Sequence, residues 1–221
     1  MAATIKNGLY GTVTGKIGNL VFCIRNGKTY VRSTPKKKKS RKISDKQKSV
    51  QSRFKTTQRL VSNILPFIRI GFKNVQPDKT AINSAMSYNL REAFIFDEDV
   101  PGYRLQWNKI SFSRGIPNAA EDFHLELVND KLTITWKINS SNIGHQDLYS
   151  FKCCVLIIPE NFEREHIQGC INENSLSTGI QSLQVDLLED AKYHVYIGFF
   201  SNDGSGRVMD SEWVGWVKGG L

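Results

Sequence analysis

Three residues in the second half of the chain have side chains that could bind a metal ion. Glu163, His166 and Cys170 recur at helical spacings. Protein zinc sites draw their ligands from Cys, His and acidic side chains, usually in pairs of fixed spacing. One histidine without a second ligand pair falls short of that pattern. The sequence therefore predicts no metal at these positions.

Two further stretches contain parts of catalytic motifs. The stretch GTVTGKI (residues 11–17) has three residues between its glycines and Ile17 after its lysine, whereas a phosphate-binding loop needs four and a Ser or Thr. His145 and Asp147 lie two residues apart, but no Ser or Cys lies in a nucleophile-elbow context to use them. The sequence therefore predicts that the protein is not an enzyme and binds no cofactor or small-molecule substrate.

Positive charge is concentrated at the start of the chain. Residues 1–75 contain 18 Lys and Arg and one acidic residue, whereas residues 76–221 contain 12 basic and 20 acidic residues. Basic side chains can neutralise phosphates and release their counterions. The candidate polyanion-binding residues are Arg32, Lys36, Lys37, Lys38, Lys39, Arg41, Lys42, Lys48, Lys55 and Arg59. Base-stacking aromatic residues are sparse among them, so a solvated connector is the alternative interpretation.

The elements that position these cations begin with a hairpin. The pair Asn26-Gly27 lies between two β-prone runs and favours a tight turn, because both residues tolerate positive φ. Leu20, Phe22 and Ile24 share one face of the first strand. Glycines are frequent ahead of the hairpin, so we expect a partner surface to order this segment.

Two helices are predicted after the basic linker. Ser44 and Gln47 form a capping-box pattern at the start of the first helix, and Pro66 ends it. The second helix is predicted across residues 80–95. The apolar stripe of the first helix consists of Val50, Phe54, Thr57, Val61 and Ile64, and the candidate cations Lys48, Lys55 and Arg59 fall on the opposite face.

From about residue 103 the hydrophobic pattern alternates with a period of two. Seven short strands separated by Asn, Asp, Gly and Ser clusters are typical of a β-sandwich. They are predicted at 109–114, 122–128, 131–137, 150–158, 181–187, 192–200 and 209–217. Trp136 and Tyr193 lie on apolar strand faces, which predicts that both are core residues.

Trp213 and Trp216 lie three residues apart on the last predicted strand. Because side chains alternate along a strand, we expect them on opposite faces. One is then a core residue. The other either packs against the helical half or makes an exposed contact with a sugar or a protein.

The strand sequences resemble those of fibronectin type III domains. LTITW, which ends at Trp136, is similar to the second-strand tryptophan of that family, and Leu187 precedes Tyr193 by six residues as in its tyrosine corner. The usual proline between them is absent, with Asp190 or a neighbour in its place. The resemblance implies a sandwich whose core includes Leu187, Trp136 and Tyr193.

These patterns together predict an α+β fold with two domains. Residues 1–100 form a basic region with an N-terminal β-hairpin and two helices. Residues 101–221 form a fibronectin-III/immunoglobulin-like antiparallel β-sandwich.

The front half has a resemblance of its own. GKIGNLVFCIRNGKTYVRSTP, the helix QKSVQSRFKTTQRL and the segments LPFIRIGFK and SAMSYNL are similar to an uncharacterised bacterial family known as a domain of unknown function. A shorter pattern of the same kind occurs in small phage- or prophage-encoded proteins. Neither resemblance implies an activity, so no functional residues are carried over.

The predicted function is therefore binding. We expect a non-catalytic interaction or assembly protein, phage- or prophage-related, that binds a protein partner or a second copy of itself. The alternative is sequence-independent nucleic-acid binding through residues 32–59. With no signal peptide, lipobox or transmembrane segment in the sequence, we expect a cytoplasmic location and no membrane partner.

Overall fold

A computed structural model of the protein describes residues 4–5, 13–25, 27–36, 43–75, 78–97, 102–139, 141, 143–144, 147–162 and 166–220. The chain divides into two compact units, an N-terminal unit of Met1–Ile43 and a C-terminal unit of Ser44–Leu221. No helix in the described ranges is long and apolar enough to cross a bilayer.

The N-terminal unit contains a four-stranded antiparallel sheet with the strand order β1-β2-β3-β4. Its strands are β1 Thr4–Ile5, β2 Val13–Ile17, β3 Leu20–Arg25 and β4 Lys28–Ser33. The predicted hairpin is formed by β3 and β4. Gly27 has a φ of 73° at the turn between them, which suits glycine, and Asn26 lies outside the described residues.

Three helices open the C-terminal unit: α1 Asp45–Asn63, α2 Leu65–Gly71 and α3 Ala81–Glu92. The predicted capping box of α1 is confirmed, since Ser44 Oγ accepts from the Gln47 N–H and Gln47 Oε1 accepts from the Ser44 N–H. Helix α1 ends at Asn63, just before Pro66 as predicted, but α2 follows directly and includes Pro66. This proline lies in the first turn of α2, where the N–H that proline lacks would have no intrahelical partner.

Strands are the main regular elements of the remaining chain. A hairpin of β5 Phe94–Asp97 and β6 Gly102–Leu105 follows α3. The later elements are β7 Ala120–Val128, β8 Lys131–Ile138, α4 Asp147–Ser150, β9 Phe151–Pro159, β10 Gln168–Cys170, β11 Ile180–Gln184, β12 Lys192–Ser201 and β13 Glu212–Lys218. The strands β7 to β13 form two antiparallel sheets with the orders β11-β8-β7 and β10-β9-β12-β13.

The predicted strand at residues 109–114 is wrong. Residues 107–109 form a 3-10 turn, and side chains together with isolated backbone contacts bond the segment that follows. The N–H of Ser111 donates to Asn89 Oδ1 at 2.9 Å, and the N–H of Phe112 donates to Ser211 Oγ at 3.0 Å. The alternation of apolar and polar residues that predicted a strand therefore belongs to an irregular segment, in which Ile110, Ser111, Phe112 and Ser113 are all buried.

The sheet containing β9 and β12 is covered on both faces. In β9, the odd-numbered side chains from Cys153 to Ile157 pack in one cluster with β8 of the other sheet. The even-numbered side chains from Cys154 to Ile158 pack in a second cluster with the three helices. A strand buried on both faces is apolar at every position, which explains the continuous run CCVLII. The predicted α+β fold with an antiparallel sandwich is confirmed.

Candidate functional site

The structure describes half of the ten candidate polyanion-binding residues. Arg32 is exposed on β4, and Lys36 is exposed just beyond the end of that strand. Lys48, Lys55 and Arg59 are exposed on α1. The Lys48 ammonium lies 3.0 Å from Asp45 Oδ1. Outside the described residues lie Lys37, Lys38, Lys39, Arg41 and Lys42.

The described candidates belong to both compact units. Arg32 and Lys36 are part of the N-terminal unit, whereas the three helical cations are part of the C-terminal unit. Each unit therefore has exposed basic residues of its own among the described candidates.

The three proposed core residues lie in or beside the cluster between the two sheets. Trp136 is buried, and its indole N–H donates to the Leu176 carbonyl oxygen at 2.9 Å. Tyr193 is buried at the start of β12, and its hydroxyl accepts from the N–H of Leu188 at 3.1 Å. Leu187 is half-buried and packs against the same cluster.

The prediction that Trp213 and Trp216 face opposite sides is wrong. Tyr196 pairs with Trp213 and His194 pairs with Trp216, because a β-bulge inserts one extra residue into β13. Both tryptophans therefore lie on the sheet face that the helices cover. Trp213 packs against the helical cluster, whereas Trp216 is 53% exposed with the Lys192 ammonium 4.8 Å from its ring centroid.

One face of the N-terminal sheet carries no charged side chain among the described residues; we call it the apolar face. The strand register brings together Val13, Gly15, Ile17, Leu20, Phe22, Ile24, Thr29, Val31 and Ser33. Leu20 is 47% exposed and Val31 is 53% exposed. No side chain that the structure describes in residues 13–36 is buried.

The opposite face, which we call the basic face, presents cations around one aromatic ring. Lys16, Val21 and Arg32 form a row across β2, β3 and β4. Tyr30 is 52% exposed on the same face of β4, two residues from Arg32 and two from Lys28. Lys16, Lys28 and Tyr30 were missed by the sequence analysis. The alternation in KTYVRS could have identified the two on β4.

Of the residues with metal-binding or catalytic side chains that the sequence analysis considered, His166, Cys170 and Asp147 are described by the structure. Burial raises the pKa of the Cys170 thiol to about 11, and His166 is exposed. Asp147 pairs with Arg207, its Oδ1 2.6 Å from Nη2, and this hydrogen bond lowers the pKa of its carboxyl. Glu163 and His145 lie outside the described residues. Within the part of the chain that is described, no group of three His, Cys, Asp or Glu could hold a metal ion.

Comparison with protein families gives one match over almost the whole chain. The model of the family described as "Family of unknown function (DUF6266)" matches residues 11–215. The chain belongs to this family. The match to DUF6266 confirms the predicted membership of a family of unknown function.

Other comparisons add little to the DUF6266 assignment. No curated protein matches the chain. A solved structure titled "Myokine structure" is similar over 44% of this chain and 94% of its own, with 15% sequence identity and a TM-score of 0.29. A likeness of that size carries no argument about the fold or the function.

Proposed function

We propose that the protein is a non-catalytic interaction protein whose apolar face binds another polypeptide, either a second copy of the chain or a different protein. The observation that carries this proposal is the exposure of Leu20 and Val31 in a unit without a buried side chain among its described residues. An amphipathic sheet has to bury its apolar face against another layer. A polypeptide partner supplies that layer.

The chemistry of the apolar face favours a polypeptide over a polyanion. Its described side chains are aliphatic, aromatic or small hydroxyl groups, without a lysine or arginine to meet a phosphate. Contiguous exposed apolar surface on a soluble domain is typical of a protein-binding site.

We also propose that the sandwich is of the fibronectin type III kind. What supports this is the division of its strands into sheets of three and four, all antiparallel, and the buried Tyr193 whose hydroxyl bonds to nearby backbone. Such a sandwich is a scaffold that hosts many functions, so it is compatible with an interaction protein without requiring one. The phage or prophage relation and the cytoplasmic location are parts of this proposal that rest on the sequence alone.

The second candidate function is sequence-independent nucleic-acid binding through residues 32–59. It is favoured by the exposure of every described candidate cation in that range. Changing Lys36, Lys37, Lys38 and Lys39 to Ala should then weaken binding to any duplex and flatten its salt dependence by up to about 0.9 per lost phosphate contact.

The apolar face is tested with Leu20→Asp in the full chain, with Val128→Asp as the matched control. Val128 is 52% exposed at the end of β7, so its substitution adds the same charge at a comparably exposed apolar site. Sedimentation velocity measures self-association, and the fluorescence of a hydrophobic dye such as anilinonaphthalene sulfonate measures open apolar surface.

Two results would support the proposal. An oligomer that Leu20→Asp dissociates and Val128→Asp leaves intact would identify a second copy as the partner. A monomer that binds the dye, and loses this binding only in Leu20→Asp, would indicate a different protein partner. A monomer that does not bind the dye would contradict the proposal, because the chain would then cover the apolar face itself.

A further inference from the structure

We propose that the basic face of the N-terminal sheet binds single-stranded nucleic acid, with Tyr30 as a base-stacking residue and Lys16, Lys28 and Arg32 as phosphate contacts. This site lies on the opposite face of the sheet from the apolar face. The proposal gives the second candidate function a defined surface, and Arg32 belongs to both. It does not depend on protein binding by the apolar face.

The geometry places an exposed aromatic ring within a field of cations. Lys28, Tyr30 and Arg32 follow one another at every second position of β4, so their side chains lie about 6–7 Å apart on one face. Lys16 is two strands away in the same row as Arg32, at a distance of about 10 Å. A nucleic-acid strand crossing this face would meet cations on either side of the ring.

These cations have no acidic neighbour within their own unit. Residues 1–43 contain eleven Lys and Arg and no Asp or Glu. Among the described residues, none of the ion pairs involves Lys16, Lys28 or Arg32. Binding a phosphate therefore need not break an existing salt bridge, and neutralisation of the phosphate releases its counterion.

The exposed tyrosine favours a single strand over a duplex. Every base has a π-face that can stack on an aromatic ring, but in a duplex those faces are covered by neighbouring base pairs. Sheet surfaces that bind single strands combine aromatic side chains with basic ones in this way. Because stacking tolerates any base, we expect binding with little dependence on sequence.

The first experiment measures fluorescence anisotropy of a labelled 20-nucleotide oligothymidine with the full chain, with a duplex of the same length as comparison. Tyr30→Ala should weaken oligothymidine binding by about tenfold, whereas Tyr30→Phe, which keeps the ring, should bind as the wild type does. Binding to the duplex should change little in either variant. Circular dichroism and thermal unfolding of each variant show whether the fold is retained.

A second pair of variants distinguishes binding at the basic face from non-specific attraction by the net positive charge of the protein. Lys16→Gln with Lys28→Gln removes two charges from the basic face, outside residues 32–59. Lys73→Gln with Lys109→Gln removes two exposed charges from the C-terminal unit, so both double variants have a net charge of +7 instead of +9. Only the first should weaken binding, and it should reduce the slope of log K against log salt by about 1.4.

Several outcomes would overturn the proposal. They are oligothymidine binding that is unchanged in Tyr30→Ala, equal losses in the two double variants, and competition by polyglutamate at the same charge concentration as the oligonucleotide. If binding is lost only when Lys36 to Lys39 are replaced, the binding site is the segment after β4 and not the basic face. If the protein does not bind the oligonucleotide at physiological salt, the proposal is wrong. The role of these cations would then be to keep the edge strand β4 from pairing with other chains.

Discussion

At the scale of single residues, Trp136 is held in the sandwich core by packing and by one hydrogen bond. Its ring meets Phe199 edge-on, with 5.3 Å between the ring centroids, and its N–H donates to Leu176. Trp136→Ala leaves a cavity and should lower the free energy of unfolding by about 3–5 kcal/mol, measured by urea denaturation. Trp136→Phe keeps most of the buried area and should lose less. A loss below about 1 kcal/mol for the alanine variant would mean that the residue is not a core residue.

His194 makes the stability depend on pH. Its ring stacks on Trp107 at 4.2 Å and is 3% exposed, and its Nδ1 lies 3.4 Å from the Trp213 N–H that donates to it. Burial lowers the pKa of His194 from 6.5 to about 4. The unfolded chain therefore takes up this proton at a higher pH than the folded chain does. The histidine's contribution to stability is fully present above pH 6.5 and decreases as the pH falls towards 4.

The variant His194→Phe isolates that contribution, because it keeps an aromatic ring on Trp107 but cannot titrate. As the pH falls from 6.5 to 4, the free energy of unfolding of the wild type should decrease relative to that of His194→Phe, since the carboxylates that also titrate are common to both. Parallel curves over this range would show that His194 is protonated equally in the folded and unfolded states.

At the scale of elements, the first turn of α1 depends on a capping box that the sequence alone predicts. Ser44→Ala removes the side-chain acceptor of the Gln47 N–H and should cost about 1 kcal/mol of stability. Ser52→Ala is the matched control, because Ser52 is exposed within the same helix and alanine is the better helix former there. Equal effects of the two substitutions on thermal unfolding would contradict a stabilising role for the cap.

The elements also show which structural features a sequence pattern does not predict. The strands β8, β9 and β12 and the start of α1 are predictable because alternation, length and capping residues are local properties. The bulge in β13 is not, since one unpaired residue places Trp213 and Trp216 on the same face without any change in composition. Val50 and Phe54 continue the apolar stripe of α1 but are exposed, because the buried contacts of this helix begin at Thr57.

At the scale of the whole molecule, charge and hydrophobicity divide the chain at different places. The change of hydrophobic period predicts a domain boundary near residue 100, and the chain divides into compact units between Ile43 and Ser44. The helices of residues 45–92 share a hydrophobic cluster with β9 and β12, a long-range contact that periodicity cannot reveal. The amphipathic sheet is only partly predictable from the sequence, since the hairpin of β3 and β4 was predicted but the strand β2 that widens the sheet was not.

The central claim is that the N-terminal sheet relies on a partner for its apolar face. Hydrogen exchange of the full chain, followed by mass spectrometry under conditions where it is monomeric, tests this most directly. A sheet whose described side chains are all exposed or half-buried opens at little cost, so the amides of β3 and β4 should exchange orders of magnitude faster than those of β9 and β12, and a bound partner should slow them. Protection of β3 and β4 equal to that of β12 in the monomer would contradict the account.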